Sequence, residues 1–128
     1  MQTEMKSVIQ PVESVSSWKE ARLLITDYFE SPPVVLKIED SIIGTLGNFS
    51  ASTGKAKSKK TFNLCAIVSS ALTNSTVLNY TSFLPIGKHK ILYVDTEQSK
   101  FHCKRVLSRI LQLAGLPLNQ HPKNLEFL

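Results

Sequence analysis

Lys55, Lys57, Lys59 and Lys60 fall within six residues, directly ahead of a stretch that is apolar on nearly every side, Thr61 to Leu72 (TFNLCAIVSSAL). A helix of that composition is usually buried, and its small residues allow close packing on a sheet. The lysines therefore occupy a loop that opens into a buried helix. The chain has a net charge of +5, and without this cluster the remaining basic and acidic residues nearly balance. A general nucleic-acid binder more often spreads its positive charge over a face or stripe. One dense loop suits a local anion such as a polyphosphate, and a nucleic-acid-binding loop stays open beside it.

The surrounding sequence supplies the elements. Residues 1–13 are polar and contain Pro11, as expected of a fraying terminus. Ser17 and Glu20 have the spacing of a capping box. Trp18, Ala21, Ile25 and Tyr28 recur at helical spacing, which predicts an amphipathic helix to about Glu30, stopped by Ser31-Pro32-Pro33. Val34 to Ile38 reads as a strand, Glu39-Asp40-Ser41 as a turn and Ile42 to Leu46 as a hairpin partner. Asn48 to Thr53 is β-compatible and runs into Gly54. Asn74 to Lys88, punctuated by Pro85 and Gly87, reads as an excursion or a short extra turn.

Ile91 to Val94 is a continuous apolar run, the pattern of a strand covered on both faces. Cys103, Val106, Leu107, Ile110 and Ala114 give a helix over 101–114, with Gly115 and Pro117 as stop signals. Leu125 to Leu128 begins another strand. From Asn48 the order is strand, loop, helix, strand, helix, strand. That alternation predicts an α/β fold with a mostly parallel sheet flanked by helices. Two regions follow: an N-terminal extension with the amphipathic helix over 1–30 and an α/β region over 31–128.

Gly54 to Thr61 (GKAKSKKT) can be laid on the phosphate-loop pattern G-x-x-x-x-G-K-[ST]. Gly54, Lys60 and Thr61 match, while Lys59 stands where the second glycine belongs. In such a loop the backbone N–H groups of Gly54, Lys55, Ala56, Lys57, Ser58 and Lys59 would cradle a phosphate. The helix that follows aims its N-terminus at the anion. Lys60 would bridge the β- and γ-phosphates of ATP and the Thr61 hydroxyl would help hold Mg²⁺. Glycine at the Lys59 position supports a backbone geometry that a Cβ resists. The alternative is a solvated lysine loop or a nucleic-acid patch.

Asp95-Thr96-Glu97-Gln98 follows the Ile91–Val94 run, at the strand end where ligands bind in open parallel sheets. A carboxylate there can polarise water or touch Mg²⁺ through water. Asp95 is thus a candidate metal contact and Glu97 a candidate base. A cap on the next helix, from Asp95 or Thr96, is the competing reading. Both can coexist.

The stretch Gly44 to Leu72, centred on GKAKSKKT, together with ILYVDTEQSK, resembles RecA-like P-loop ATPases of the AAA type encoded on bacterial mobile and conjugative elements. These are similar to the hexameric replicative helicases of mobilisable plasmids. The resemblance covers roughly residues 31–128. It implies an ATP- and Mg²⁺-dependent, helicase-like DNA-transaction ATPase, with Glu97 at the position of the catalytic glutamate. It also implies a single-stranded DNA partner and a homo-oligomer. The Walker B aspartate of the family would lie beyond residue 128, so the chain looks like the N-terminal part of a longer ATPase. Such a part is expected to expose an unpaired sheet edge and apolar surface, and to self-associate. Two rivals stand beside this reading: a nucleotide-binding regulatory module without turnover, and a basic-loop nucleic-acid-binding domain.

The remaining residues carry weaker signals. His89, His102 and His121 lack metal-ligand spacing. Cys65 and Cys103 form neither a disulfide framework nor a zinc motif. Cys103 reads as packing. Lys104, Arg105 and Arg109 read as a solvated helix face, with a subunit contact as the sharper alternative. Trp18 and Tyr28 read as core, and Pro32 and Pro33 could flank an adenine. No run approaches the roughly 20 apolar residues needed to span a bilayer. With no apolar leader in MQTEMKSVIQ, a cytoplasmic protein without membrane contact is expected.

Overall fold

The computed structural model describes residues 17–55 and 59–128. The chain divides between Ser31 and Pro32 into two compact units.

In the first unit, Ser17 to Glu20 are helical and residues 22–30 are not, so the amphipathic helix does not continue to Glu30. A local competitor explains the stop. The Leu24 N–H donates to Asp27 Oδ2 at 2.8 Å, and the Asp27 N–H donates to the Leu24 carbonyl at 3.0 Å. An Asp side chain that bonds nearby backbone offers the chain an alternative to helix. Trp18, Ile25 and Tyr28 are exposed rather than in a core.

The second unit opens with the expected hairpin. Strands β1 (Val34–Ile38) and β2 (Ser41–Thr45) pair antiparallel around Glu39-Asp40. Glu39 takes a left-handed φ of 51°, as tight hairpin turns demand. Gly44 faces Leu36 across the pair, where an added Cβ would stand 3.2 Å from the Leu36 Cβ. Helix α1 (Lys60–Thr73) follows the lysine loop. Next come β3 (Thr76–Val77) and β4 (Tyr80–Ser82), a second hairpin where the sequence suggested an excursion or a short extra turn. Strands of two and three residues are too short to show a period, although Thr76, Val77, Tyr80 and Thr81 have the right chemistry. β4 pairs antiparallel with β1, giving the order β2-β1-β4-β3.

Strand β5 (Ile91–Tyr93), helix α2 (Lys100–Ala114) and strand β6 (Leu125–Phe127) form a β-α-β unit in which β5 and β6 pair in parallel. The protein is therefore mixed α/β, with a small parallel sheet and a larger antiparallel one. The expectation of a mostly parallel sheet is corrected: four of the six described strands are antiparallel.

A second correction concerns Asn48 to Thr53, which is irregular and exposed. Gly47, at φ 81°, turns the chain, and Asn48 bonds back to Thr45 through both its backbone and its side chain. A strand without a ladder partner leaves its backbone to water, so this run stays open.

The core joins Cys65 and Val68 of α1, Tyr93 and Leu125 of the parallel strands, and Val106 and Ile110 of α2. Tyr93 stacks on Phe127 with ring centroids 4.4 Å apart. Only one face of β5 is covered, since Leu92 and Val94 are exposed. Among the described residues no helix is long and apolar enough to cross a membrane.

Ile110 is fully buried and Ile86 is almost wholly exposed. Ile110→Ala should lower unfolding free energy by about 2–5 kcal/mol. Ile86→Ala should change it by less than about 0.5 kcal/mol. Urea unfolding followed by circular dichroism checks both; equal effects would place the core elsewhere.

Candidate functional site

The lysine loop ends on an unusual backbone. Lys59, the N-cap of α1, has φ 62° and ψ 24°, the left-handed region that normally favours glycine. It occupies the place of the second glycine in the phosphate-loop pattern, and it adopts the geometry that glycine would supply. Its carbonyl accepts the first helical hydrogen bond, from the Asn63 N–H at 3.1 Å. The earlier N–H groups of the first turn have no carbonyl within the helix to bond. The Lys59 side chain does not cap them, and no acidic residue stands in that turn. The result is a positive helix end that suits an anion.

Lys60 Nζ donates to the Gly54 carbonyl at 2.6 Å, tying the two ends of the loop together. Ala56, Lys57 and Ser58 lie outside the described residues, so the middle of the expected cradle goes undescribed. Thr61 is half-buried in the first turn of α1. Beside it, between the β1–β2 hairpin and α1, opens a cavity of about 630 Å³. Ile38, Ile43 and Leu64 give it apolar walls, and Lys60, Thr61 and Asn63 bring polar groups to its rim. Apolar walls with a few converging polar groups are what small-molecule sites share.

The acidic motif forms a turn of its own. Asp95 Oδ1 accepts hydrogen bonds from the Glu97 and Gln98 backbone N–H groups, both at 3.0 Å. Those bonds hold the Asp95 carboxyl below its ordinary value, so it keeps its charge into more acidic conditions. Asp95 thus caps the turn, whereas the N-cap of α2 is Ser99. This corrects the expectation that Asp95 or Thr96 caps the helix. Ser99 Oγ bonds His102 Nδ1 at 2.9 Å. The Cys103 thiol is pushed up, first by desolvation and then by the Asp95 charge. A raised thiol is a poor nucleophile, in keeping with a packing role.

The two motifs approach the core from neighbouring elements. Cys65, five residues after Lys60, shares a buried cluster with Tyr93, two residues before Asp95. Lys60 nonetheless bonds the Gly54 carbonyl of its own loop, and Asp95 accepts from the backbone of its own turn. Glu97 is exposed. Among the described residues no group of His, Cys, Asp and Glu side chains is arranged to hold a metal by itself. An Mg²⁺ here would depend on phosphate oxygens and water for most of its ligands, as this hard cation commonly does.

Sequence reasoning missed one contact near the site. The Arg109 guanidinium of α2 lies 6.0 Å from the ring centroid of Phe62, in the first turn of α1. The two residues are 47 positions apart, and no local pattern links them.

Compared with protein-family models, with curated proteins and with solved structures, the chain matches none.

Proposed function

We propose that the Gly54–Thr61 loop and the Asp95–Gln98 turn form an ATP–Mg²⁺ site of RecA-like P-loop type, in a helicase-like DNA-transaction ATPase that works as a homo-oligomer. The observation that carries this reading is Lys59 in the left-handed conformation, immediately ahead of a helix that starts on Lys60 and Thr61. The departure from the motif at Lys59 therefore leaves the glycine-like turn in place.

In this reading, loop N–H groups and the N-terminus of α1 hold the β-phosphate. Lys60 exchanges the Gly54 carbonyl for β- and γ-phosphate oxygens. The Thr61 hydroxyl contacts Mg²⁺, and Asp95 does so through water. Glu97, exposed on its turn, orients and deprotonates the attacking water. DNA enters only through the family resemblance, which is a weaker warrant than the site. A second reading, nucleotide binding without turnover, draws support from the hydrogen bonds that tie Lys60 to Gly54 and Asp95 to its own turn.

Lys60→Ala should weaken a fluorescent ATP analogue roughly tenfold to a hundredfold, because each lost charge-assisted bond is worth about 1.5–3 kcal/mol. Unchanged affinity in the titration removes the phosphate-loop assignment.

Lys59→Gly should preserve nucleotide binding and leave the melting temperature equal or higher, since glycine takes a positive φ without strain. A loss of binding larger than that of Lys60→Ala would show that the motif is in the wrong register.

Glu97→Gln should keep nucleotide affinity within about twofold and slow phosphate release by about a hundredfold or more, the usual worth of a positioned base. Equal turnover in both proteins would sink the base assignment. No turnover in the unsubstituted chain, despite nucleotide binding, would favour the second reading.

A further inference from the structure

Sheet and helix part company at the N-terminal end of α1. In the antiparallel ladder Leu36 stands opposite Ser82 and Ile38 opposite Tyr80, so these four side chains share one face of the sheet. Ser82 Oγ lies 2.6 Å from Ser70 Oγ of α1, which makes that face the one turned toward the helix. Ser70 is fully buried where the two surfaces touch. Ile67 and Leu64, about one and two turns earlier on the helix, are not closed over. Ile67 is half-buried and Leu64 is 43% exposed. The cavity of about 630 Å³ beside Lys60 and Thr61 occupies the space left there.

The lining sorts into two kinds. Leu36, Ile38 and Ile43 of the hairpin, Leu64 and Ile67 of α1 and Tyr80 of β4 make the walls. Lys60, Thr61 and Asn63 bring polar groups from the first turn of α1. Lys60, Asn63, Leu64 and Ile67 follow the spacing i, i+3, i+4 and i+7, one stripe of a helix. Anion chemistry at the loop leaves the apolar walls without a task, because phosphate oxygens and Mg²⁺ want charged and polar partners. Apolar side chains held open beside a cationic loop suit a ligand with an anionic tail and a largely apolar, ring-shaped body. A nucleotide is built that way, and the volume lies within the range of roughly 300–1,000 Å³ typical of small-molecule sites.

We propose that this cavity is the base subsite of the nucleotide, with the β1–β2 hairpin as one jaw and the first two turns of α1 as the other. The proposal rests on the phosphate-loop reading, because an anion held at Gly54–Thr61 fixes which end of the ligand lies at the rim. The walls take the ring faces out of water. The Asn63 amide offers a donor and an acceptor side by side, which match an edge of adenine. No carboxylate lines the cavity to accept from the N–H donors of guanine. Adenine is thus the preferred base, and the hairpin ahead of the loop is what holds it. Pro32 and Pro33, the residues that the sequence offered as flanks for an adenine, are exposed and lie outside this lining.

Isothermal titration calorimetry on the full chain with Mg²⁺, using ATP, GTP and inorganic tripolyphosphate, separates ring from tail. ATP should bind roughly tenfold or more tightly than tripolyphosphate, because ring burial adds to the phosphate contacts. ATP should exceed GTP by about fivefold or more, and Asn63→Leu should erase that ratio. Ile43→Trp, which fills the cavity from the hairpin side, should weaken ATP roughly tenfold or more and leave tripolyphosphate within about twofold. Lys60→Ala should weaken both ligands, so losses at the loop and at the cavity have different signatures. Tripolyphosphate binding equal to that of ATP overturns this inference and leaves the phosphate loop standing. Undiminished ATP affinity in a natively folded Ile43→Trp chain overturns it too. If Ile43→Trp loses its native circular dichroism, Leu64→Ala decides, since a side chain 43% exposed can be shortened without loss of the fold. An unchanged ratio of ATP to tripolyphosphate affinity in Leu64→Ala overturns the inference. No binding of either ligand by the unsubstituted chain removes both the base subsite and the loop assignment.

Discussion

Two adjacent hydroxyls on α1 hold the second unit together. Ser69 Oγ lies 2.8 Å from the Ile110 carbonyl of α2, and Ser70 Oγ lies 2.6 Å from Ser82 Oγ of β4. Both serines are fully buried. Neighbouring residues on a helix point about 100° apart, so the pair faces two different partners. One side of α1 meets the β-α-β unit and the other meets the antiparallel sheet. A hydroxyl stranded there would cost about 1–3 kcal/mol, so each serine also fixes how its partner sits. Helix α1 contacts both sheets, and the lysine loop is anchored to its first residue.

That double contact explains what was legible in the sequence. A helix between two partners has no single apolar stripe, and Thr61 to Leu72 does read as apolar nearly all round. Helix α2 covers one partner, and its spacing of Val106 and Ile110 shows one buried face. The β1–β2 hairpin was legible because Glu39-Asp40 separates two β-branched runs. The β3–β4 hairpin was not. Its strands form because Ser82 meets Ser70 and because β1 offers an open edge, and both facts are tertiary. The helix expected to Glu30 failed for the opposite reason. Its spacing was present, but Ile25 and Tyr28 are exposed, and Asp27 bonds the backbone instead. Periodicity states which face a helix would bury; only a partner makes burial happen.

The candidate site was legible where chemistry is local. Gly54, Lys60 and Thr61 are recognisable by type and spacing, and the Asp95 turn is a short-range device. The Arg109–Phe62 contact depends on how two helices pack. The excess of four lysines looks local, yet the acidic residues that balance the rest lie mostly in the first forty positions. Net charge near zero outside the loop is thus the sum of two opposite regions, which a single total cannot reveal.

Lys59 is where local cost and electrostatic gain meet. A non-glycine residue in the left-handed region gives up about 1 kcal/mol or more, and strain of that kind gathers at functional positions when the surroundings enforce it. Glycine would remove the strain and also remove a charge. Lys59 sits at the positive end of α1, next to Lys60, where a further cation repels its neighbour and opposes the helix dipole. Both of these contributions of Lys59 are therefore unfavourable in the free protein. A polyanion in the loop would leave those repulsions in place and add larger attractions, because two cations and a helix end would then face the same charge. A lysine at this position lowers the stability of the free loop and raises its preference for the occupied one. Glu39, Asn74 and Leu78 also take a positive φ, so the left-handed backbone alone marks a tight turn; what distinguishes Lys59 is that its strain falls beside a second cation and a helix N-terminus.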